Sequence, residues 1–257
     1  MIYCKTDEEI KLIKKSADIL GRTHAEVAKN IKPGVKTSEL DKIAYDFITK
    51  NGGKPSFKGY KGYPSSLCIS VNEVVVHGMP GDYQLQEGDI ISVDGGVFLD
   101  GFHSDSAYTY PVGIISEEKR KLLKSTKESL YVGIQQAVAG NRTGDIGHAI
   151  QSFVEKDGYS VVRELVGHGL GKSLHEEPEV PNYGKKGTGV RLQEGMVIAI
   201  EPMVNQGKKN IFQENDGWTI RTVDRKPSAH FEHTVVVRKG QAEILTTFKY
   251  IEEILGE

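Results

Sequence analysis

The sequence predicts an α+β protein made of two equivalent halves, and three observations lead there. First, helical patterns precede strand patterns, and that order recurs later in the chain. Second, two blocks repeat in the same order. GVKTSELDKIAYDFITKNG (34–52) aligns without gaps to GNRTGDIGHAIQSFVEKDG (140–158) at an offset of 106 residues. LQEGDIISVD (85–94) aligns to LQEGMVIAIE (192–201) at an offset of 107. Near-constant spacing between matched blocks is the mark of an internal repeat, here about 34–112 and 140–237 within one domain spanning 1–257. Third, the run IISVDGGVFLDGFHSDSAYTYPV (90–112) puts acid where a strand should be apolar.

The elements follow in order. Thr6-Asp7-Glu8-Glu9 has the capping-box pattern, the hydroxyl serving the third helical N–H and Glu9 reaching back. Apolar or small residues then recur at Ile10, Ile13, Ala17, Leu20, Val27 and Ile31, a helical stripe ending at Pro33-Gly34. A second helix covers about 38–50 and stops at Asn51-Gly52-Gly53. The loop SFKGYKGYPSS follows, then strand-like LCISV, then VVVHGMP and the acidic run. Ser116 starts a third helix reaching about 138, and Thr143 a fourth ending near Asp157-Gly158.

Within the acidic run, Asp100-Gly101 supplies the positive φ angles of a two-residue type I′ hairpin turn. The turn sets the register: Leu99 opposes Phe102, Gly96 opposes Asp105, and Asp94 opposes Ala107. Side chains alternate with period two, so Asp94 and Asp105 share a face as diagonal neighbours. Like charges so placed repel, and one carboxyl would hold its proton unless a divalent cation lay between them. The competing reading is two solvated turn residues. The repeat weighs against it, because Glu201 occupies in the second half the place of Asp94 in the first. Each half also has a His-Gly ahead of its LQEG block, at His77 and His168. Glu232 lies in the strand AHFEHTVVV on one face with Thr234 and Val236, where a carboxylate needs a partner.

The candidate ligands are therefore Asp94, Asp105, Glu201, Glu232 and one histidine, His168 being favoured because its glycines leave room. Four carboxylates and an imidazole suit manganese, iron(II) or cobalt, with zinc as a further option, and are atypical of a structural zinc site. Two divalent ions balance four negative charges, and a water shared between them becomes nucleophilic at neutral pH. That is hydrolytic chemistry.

Composition bounds the setting. At 257 residues the chain can bury a substantial core, and 33 basic against 35 acidic residues mark neither a nucleic-acid binder nor an acidic tail. Two cysteines cannot frame a protein of this size, so a reducing compartment fits. No secretory leader and no membrane-length apolar run is present, which leads us to expect a cytoplasmic protein.

At these residues the chain resembles the type I methionine aminopeptidases, of the short bacterial kind without an N-terminal zinc-binding extension. The resemblance covers essentially the whole chain. It rests on VNEVVVHGMP, the Asp94/Asp105 pair, ELVGHGLGKSLHEEPEVPNYG, GMVIAIEPM, Trp218 and HFEHTVVV. It implies a pita-bread fold, two pseudo-twofold-related αβ halves around a central curved antiparallel sheet. It implies a dinuclear site on Asp94, Asp105, His168, Glu201 and Glu232, with Asp105 and Glu232 bridging. It further implies that Glu201 accepts a proton, that His175 steadies the oxyanion, and that His77 engages the peptide nitrogen or leaving group. The methionine pocket would be lined by Phe57, Tyr60, Tyr63, Cys68, Leu174 and Trp218. Here the chain departs from the family pattern, with Leu174 where phenylalanine is usual and Phe57 where a smaller residue is common.

Two alternatives share these ligands or this fold. Proline-specific aminopeptidases and prolidases carry the same five ligands, usually behind a large N-terminal domain, whereas this chain starts almost at the catalytic region. The spacing from Glu201 to Glu232, 31 positions, leaves no room for the inserted subdomain of type II enzymes. A non-catalytic binding protein of this fold would have lost ligands, and none is lost. The partners implied are the N-terminal methionine of nascent chains and, transiently, the ribosome, with neither DNA nor membrane, and a monomer is expected. Lys119, Arg120, Lys121, Lys124 and Lys127 read as a solvated helix face. Lys208, Lys209, Arg225 and Lys226, near Trp218, are the candidates for touching ribosomal RNA.

Overall fold

The capping box at Thr6 forms as written. Thr6 Oγ1 accepts the Glu9 N–H at 3.3 Å and the Glu9 carboxylate accepts the Thr6 N–H at 2.9 Å. It opens α1, Asp7–Ala28, in a computed structural model that describes residues 2–256. The stripe Ile10, Ile13, Ala17, Leu20 and Val27 is buried, but the helix ends before Ile31, which packs on the core from the turn beyond it. Then come α2, Thr37–Lys50; α3, Glu117–Ile134; and α4, Thr143–Val154, which tightens into one 3₁₀ turn, Glu155–Asp157. The third helix is shorter than its sequence pattern because Val138 leaves it to bridge Arg238, and Ala139 N–H donates to the Arg238 carbonyl at 3.0 Å. A fifth helix, α5, Lys249–Leu255, escaped the periodicity reading because seven residues give barely two turns. It docks on α1, where the Tyr250 hydroxyl donates to Asp18 at 2.9 Å. No described helix is long and apolar enough to cross a membrane.

The strands build one nine-stranded sheet in which every pairing is antiparallel. Its order runs Lys54–Pro55, Ile90–Leu99, Phe102–Pro111, Glu232–Val236, Val197–Ile200, Gly167–Gly169, Glu176–Val180. Leu67–Val71 also pairs with Ile90–Leu99. The central hairpin has the register counted from its turn: Leu99 faces Phe102, Gly96 faces Asp105 and Asp94 faces Ala107. Asp100 and Gly101 take φ values of 50° and 86°, as a type I′ turn requires. Alternation then sorts the faces. Ile91, Val93, Tyr108 and Tyr110 join one buried cluster with Val27 of α1, Leu40 of α2, Leu130 of α3 and Ile150 of α4. Asp94 and Asp105 point to the opposite face.

The repeat is written in the backbone. Gly34 N–H donates to the Leu85 carbonyl at 2.7 Å, and Gly140 N–H to the Leu192 carbonyl at 3.0 Å. Gly88 N–H donates to Val112 at 2.9 Å, and Gly195 N–H to Val237 at 3.0 Å. Val112 and Val237 therefore hold matching places, and counting back pairs Thr109 with Thr234, Ala107 with Glu232 and Asp105 with His230. One sequence equivalence fails. Gly169 pairs with Ile198, whose counterpart Ile91 pairs with Val71, so His168 corresponds to Ser70 and not to His77. His77 lies beyond Val74–Val76, off the main sheet, at φ 58°.

The turn gives a direct check. Placing a Cβ at the left-handed Gly101 is expected to destabilise the fold by about 1–2 kcal/mol. Urea denaturation of Gly101→Ala against wild type measures it.

Candidate metal centre and substrate cavity

The acids converge because register places them in one row across the sheet. Cys68 faces Asp94, Asp94 faces Ala107, and Ala107 faces Glu232 on its other side. Ile200 pairs with His233, which sets Glu201 beside Glu232. The small Ala107 in the middle leaves the space into which the flanking carboxylates reach. Asp105 lies two residues further along the same face. His168 enters from the neighbouring strand, its Nε2 3.9 Å from Asp105 Oδ2 and 3.6 Å from Glu201 Oε1. Its flanking glycines are required: a Cβ at Gly167 would sit 2.3 Å from the Ala199 carbonyl oxygen, and one at Gly169 would sit 2.2 Å from that of Glu177.

These acids are poorly compensated by protein. Asp94 Oδ1, Asp105 Oδ1 and Glu232 Oε1 are buried without a hydrogen-bond partner. Burial raises the Asp94 carboxyl to about 8. Burial first, then the charges of Glu232 and Asp94, pushes Asp105 well up. Burial and then Asp94 and Asp105 do the same to Glu201, and burial and then Glu201 and Asp94 to Glu232. His168 is lowered to about 4 by burial. Its Nδ1 lies 2.9 Å from the Gly169 carbonyl, so Nδ1 carries the proton and the Nε2 lone pair faces the acids. Asp105, His168 and Glu232 present donor atoms within 4.8 Å of one another. Orphaned carboxylate oxygens beside a neutral imidazole are a donor set that fits divalent cations, and cationic charge would remove the repulsion.

Every metal, catalytic and pocket residue expected from the sequence lines the same cavity of about 300 Å³. Phe57, Tyr63, Cys68 and Leu174 form a buried cluster, with Tyr60, Met79 and Trp218 packed against it. Trp218 meets the Tyr63 ring edge-on at 5.1 Å, and Asp216 accepts its backbone N–H at 2.8 Å. His175 is held between rings, stacked on Tyr60 at 5.1 Å and 4.1 Å from His168. Those neighbours desolvate its imidazole and, with the charges of His168 and Lys61, hold its pKa low. His77 is also lowered by burial.

The cavity holds residues that the sequence did not single out: Lys61, Val76, Glu164, Leu165, Val166, Met203 and His230. His230 is the most consequential. It is buried, its Nε2 has no partner, and it stands 3.8 Å from Glu201 Oε2. The signal was available in the repeat, since His230 is the counterpart of Asp105, but only after Val112 is aligned with Val237. The basic face assigned to α3 is also corrected in part. Lys119 Nζ donates to Asn72 Oδ1 at 2.9 Å and to the Gly88 carbonyl at 2.6 Å, and Lys127 pairs with Glu252 at 3.0 Å.

Comparison with known proteins bears on this centre. The profile of Metallopeptidase family M24 matches residues 11–239. The chain is 53% identical to methionine aminopeptidase 1 of Bacillus subtilis, over 96% of this chain and 99% of that one. The crystal structure of methionine aminopeptidase from Thermotoga maritima superposes with a TM-score of 0.94 at 45% identity, covering 96% of this chain and all of that one. Prolidase from Pyrococcus furiosus shares the fold, with a TM-score of 0.79 at 24% identity, 95% of this chain covering 65% of that one.

The shifts set a pH test. Between about 4 and the ordinary histidine value near 6.5, the buried imidazoles are neutral when folded and would protonate on unfolding, a contribution to stability that rises with pH and opposes that of the raised carboxyls. Above about 7 the carboxyls take over. The unfolded chain has already lost those protons while folded Asp94 keeps its own up to about 8, so stability falls as pH rises. Metal-stripped protein should lose about 1.4 kcal/mol per pH unit for each carboxyl still protonated. Melting at pH 7 and pH 8.5 with and without saturating Mn²⁺ reads this; the metal should abolish the fall.

Proposed function

The chain belongs to metallopeptidase family M24, and we infer from that membership together with its likeness to methionine aminopeptidases that it is a hydrolase removing the N-terminal methionine of peptides and newly made proteins. The observation that carries the reading is the row of buried, unpartnered acids and one neutral imidazole opening onto a cavity with aromatic and thiol walls. Divalent ions held by Asp94, Asp105, His168, Glu201 and Glu232 would supply an acidified water and an electrophile for the scissile carbonyl. Manganese, iron(II) or cobalt suits this oxygen-rich set.

The remaining roles fall to side chains around that centre. Phe57, Tyr60, Tyr63, Cys68, Leu174 and Trp218 take the methionine side chain, rings and a soft thiol matching a flexible thioether. Phe57 and Leu174 belong to one buried cluster, so the larger residue at 57 and the smaller one at 174 both shape the same pocket. Glu201 accepts the proton of the attacking water. His175, held by Tyr60 and His168, donates to the oxyanion that develops on the carbonyl, and His77 engages the peptide nitrogen or the leaving group. The preferred second residue is small.

Metal-stripped protein reconstituted anaerobically with Co²⁺, Mn²⁺ or Fe²⁺ should release methionine from Met-Ala-Ser and leave Xaa-Pro peptides intact. Asp105→Ala should abolish release, and His175→Ala should lower kcat by about 10²–10³-fold, the cost of one oxyanion donor. Cleavage of Xaa-Pro instead moves the chain to the proline-specific branch. No cleavage with any of the metals returns it to a binding protein.

A transient ribosome contact is proposed for the second basic group. Lys208, Lys209, Arg225 and Lys226 are exposed on the loops that flank the paired strands Ile211–Gln213 and Ile220–Thr222, whose connecting turn carries Trp218. Charge reversal at Lys208 and Lys209 should weaken co-sedimentation with ribosomes and spare tripeptide cleavage. Unchanged sedimentation sinks the idea.

A further inference from the structure

The two halves of the sheet meet along a short ladder. Phe102–Pro111 and Glu232–Val236 pair through Ser106 with His233 and through Ala107 with Glu232. At each end a threonine hydroxyl stands where the next backbone rung would be. Thr234 Oγ1 accepts the Asp105 N–H at 3.2 Å and donates to the Asp105 carbonyl at 2.7 Å. At the other end Thr109 Oγ1 accepts the His230 N–H at 2.9 Å and donates to the His230 carbonyl at 2.7 Å. Both threonines are fully buried, 1% exposed at Thr109 and 0% at Thr234. They are counterparts in the repeat, and so are the residues they clasp.

In an antiparallel strand the N–H and carbonyl of one residue point to the same side. Those of Asp105 point across the junction to Thr234, not across the hairpin to Gly96, whose own carbonyl accepts from Ser56 N–H at 2.9 Å. A side-chain hydroxyl between two backbones holds them further apart than a direct rung would. It thus ties Asp105 to the other half of the molecule while leaving the gap that its carboxylate shares with Glu232 and His168.

We propose that Thr234 is a positioning residue for the metal centre, a hydroxyl from the second half that fixes the backbone of Asp105 in the first. Thr109 does the same for His230, which is not among the ligands. This rests on the reading of Asp105 as a ligand. Metal-stripped protein titrated with Co²⁺ by calorimetry, with the visible Co²⁺ absorption recorded on the same samples, tests both. Thr234→Val should weaken Co²⁺ binding by about 10–100-fold, the usual effect of losing a group that orients a ligand. It should also alter the absorption band, and Thr234→Ser should restore both. Thr234→Ala, which removes the hydroxyl without adding bulk, replaces the valine variant if that one does not fold.

Thr109→Val is the control. Thr109 Oγ1 also bonds Ser92 Oγ at 2.8 Å, so this variant should melt no higher than Thr234→Val, yet bind Co²⁺ like wild type. Wild-type affinity in Thr234→Val, or an equal loss in Thr109→Val, overturns the proposal. Asp105→Asn separates the two readings. If it binds Co²⁺ like wild type, the ligand assignment falls and the proposal with it; if it loses Co²⁺ while Thr234→Val does not, only the positioning role falls.

Discussion

Mutual repulsion among buried carboxylates is the constraint on which the rest of the structure depends. Asp94, Asp105, Glu201 and Glu232 face one cavity, three of them with an oxygen that meets no donor. Left to itself such a cluster takes up protons, and the raised carboxyls record that tendency. A fold that keeps it must hold the acids rigidly, deny them lysines and arginines as partners, and give them room for cations. The sheet does the first. Each acid is on a strand or one residue past its end, and the row from Cys68 to Glu201 is set by backbone register.

The second requirement explains the histidines. Basic side chains of Arg or Lys type would neutralise the acids permanently, whereas a buried imidazole stays neutral and offers a lone pair. His168, His175, His77 and His230 all have lowered pKa values in this cavity, with burial the leading cause. The lysine that lines it, Lys61, is exposed and lies over the Tyr60 ring, away from the buried acids. A centre of this kind gives up its carboxyl protons when a divalent cation arrives and stays neutral at each nitrogen, so it captures the cation and still has donors for substrate.

How much of this could be read in the sequence depends on the range of the determining interaction. The hairpin register was legible because two residues, Asp100 and Gly101, set it locally. The same counting put Asp94 and Asp105 on one face. The helices were legible except where tertiary contact ended them early, as Val138 does at α3 by pairing with Arg238. What stayed hidden required knowing which strands meet. Ala107 carries no chemical signal of its own, yet it joins Asp94 to Glu232 by facing both. The pairing of His77 with His168 was plausible as text and wrong in space, since the sheet register matches His168 to Ser70. His230 reads as one more histidine in a strand, and only the fold sets its unpartnered Nε2 beside Glu201.

The repeat also explains why the centre is not symmetric. Matching places in the two halves hold Asp94 and Glu201, Asp105 and His230, Ala107 and Glu232. Had both halves kept an acid at every one of these places, six carboxylates would face the cavity, more negative charge than two divalent ions can balance. Alanine in one half and histidine in the other reduce the set to four, the number that the proposed pair of divalent cations would balance charge for charge. The backbone scaffold, down to the threonine clasps, is duplicated, while the side chains delivered by it have diverged. Duplication thus accounts for where the reactive groups stand, and electrostatic balance for which of the duplicated places still carry an acid.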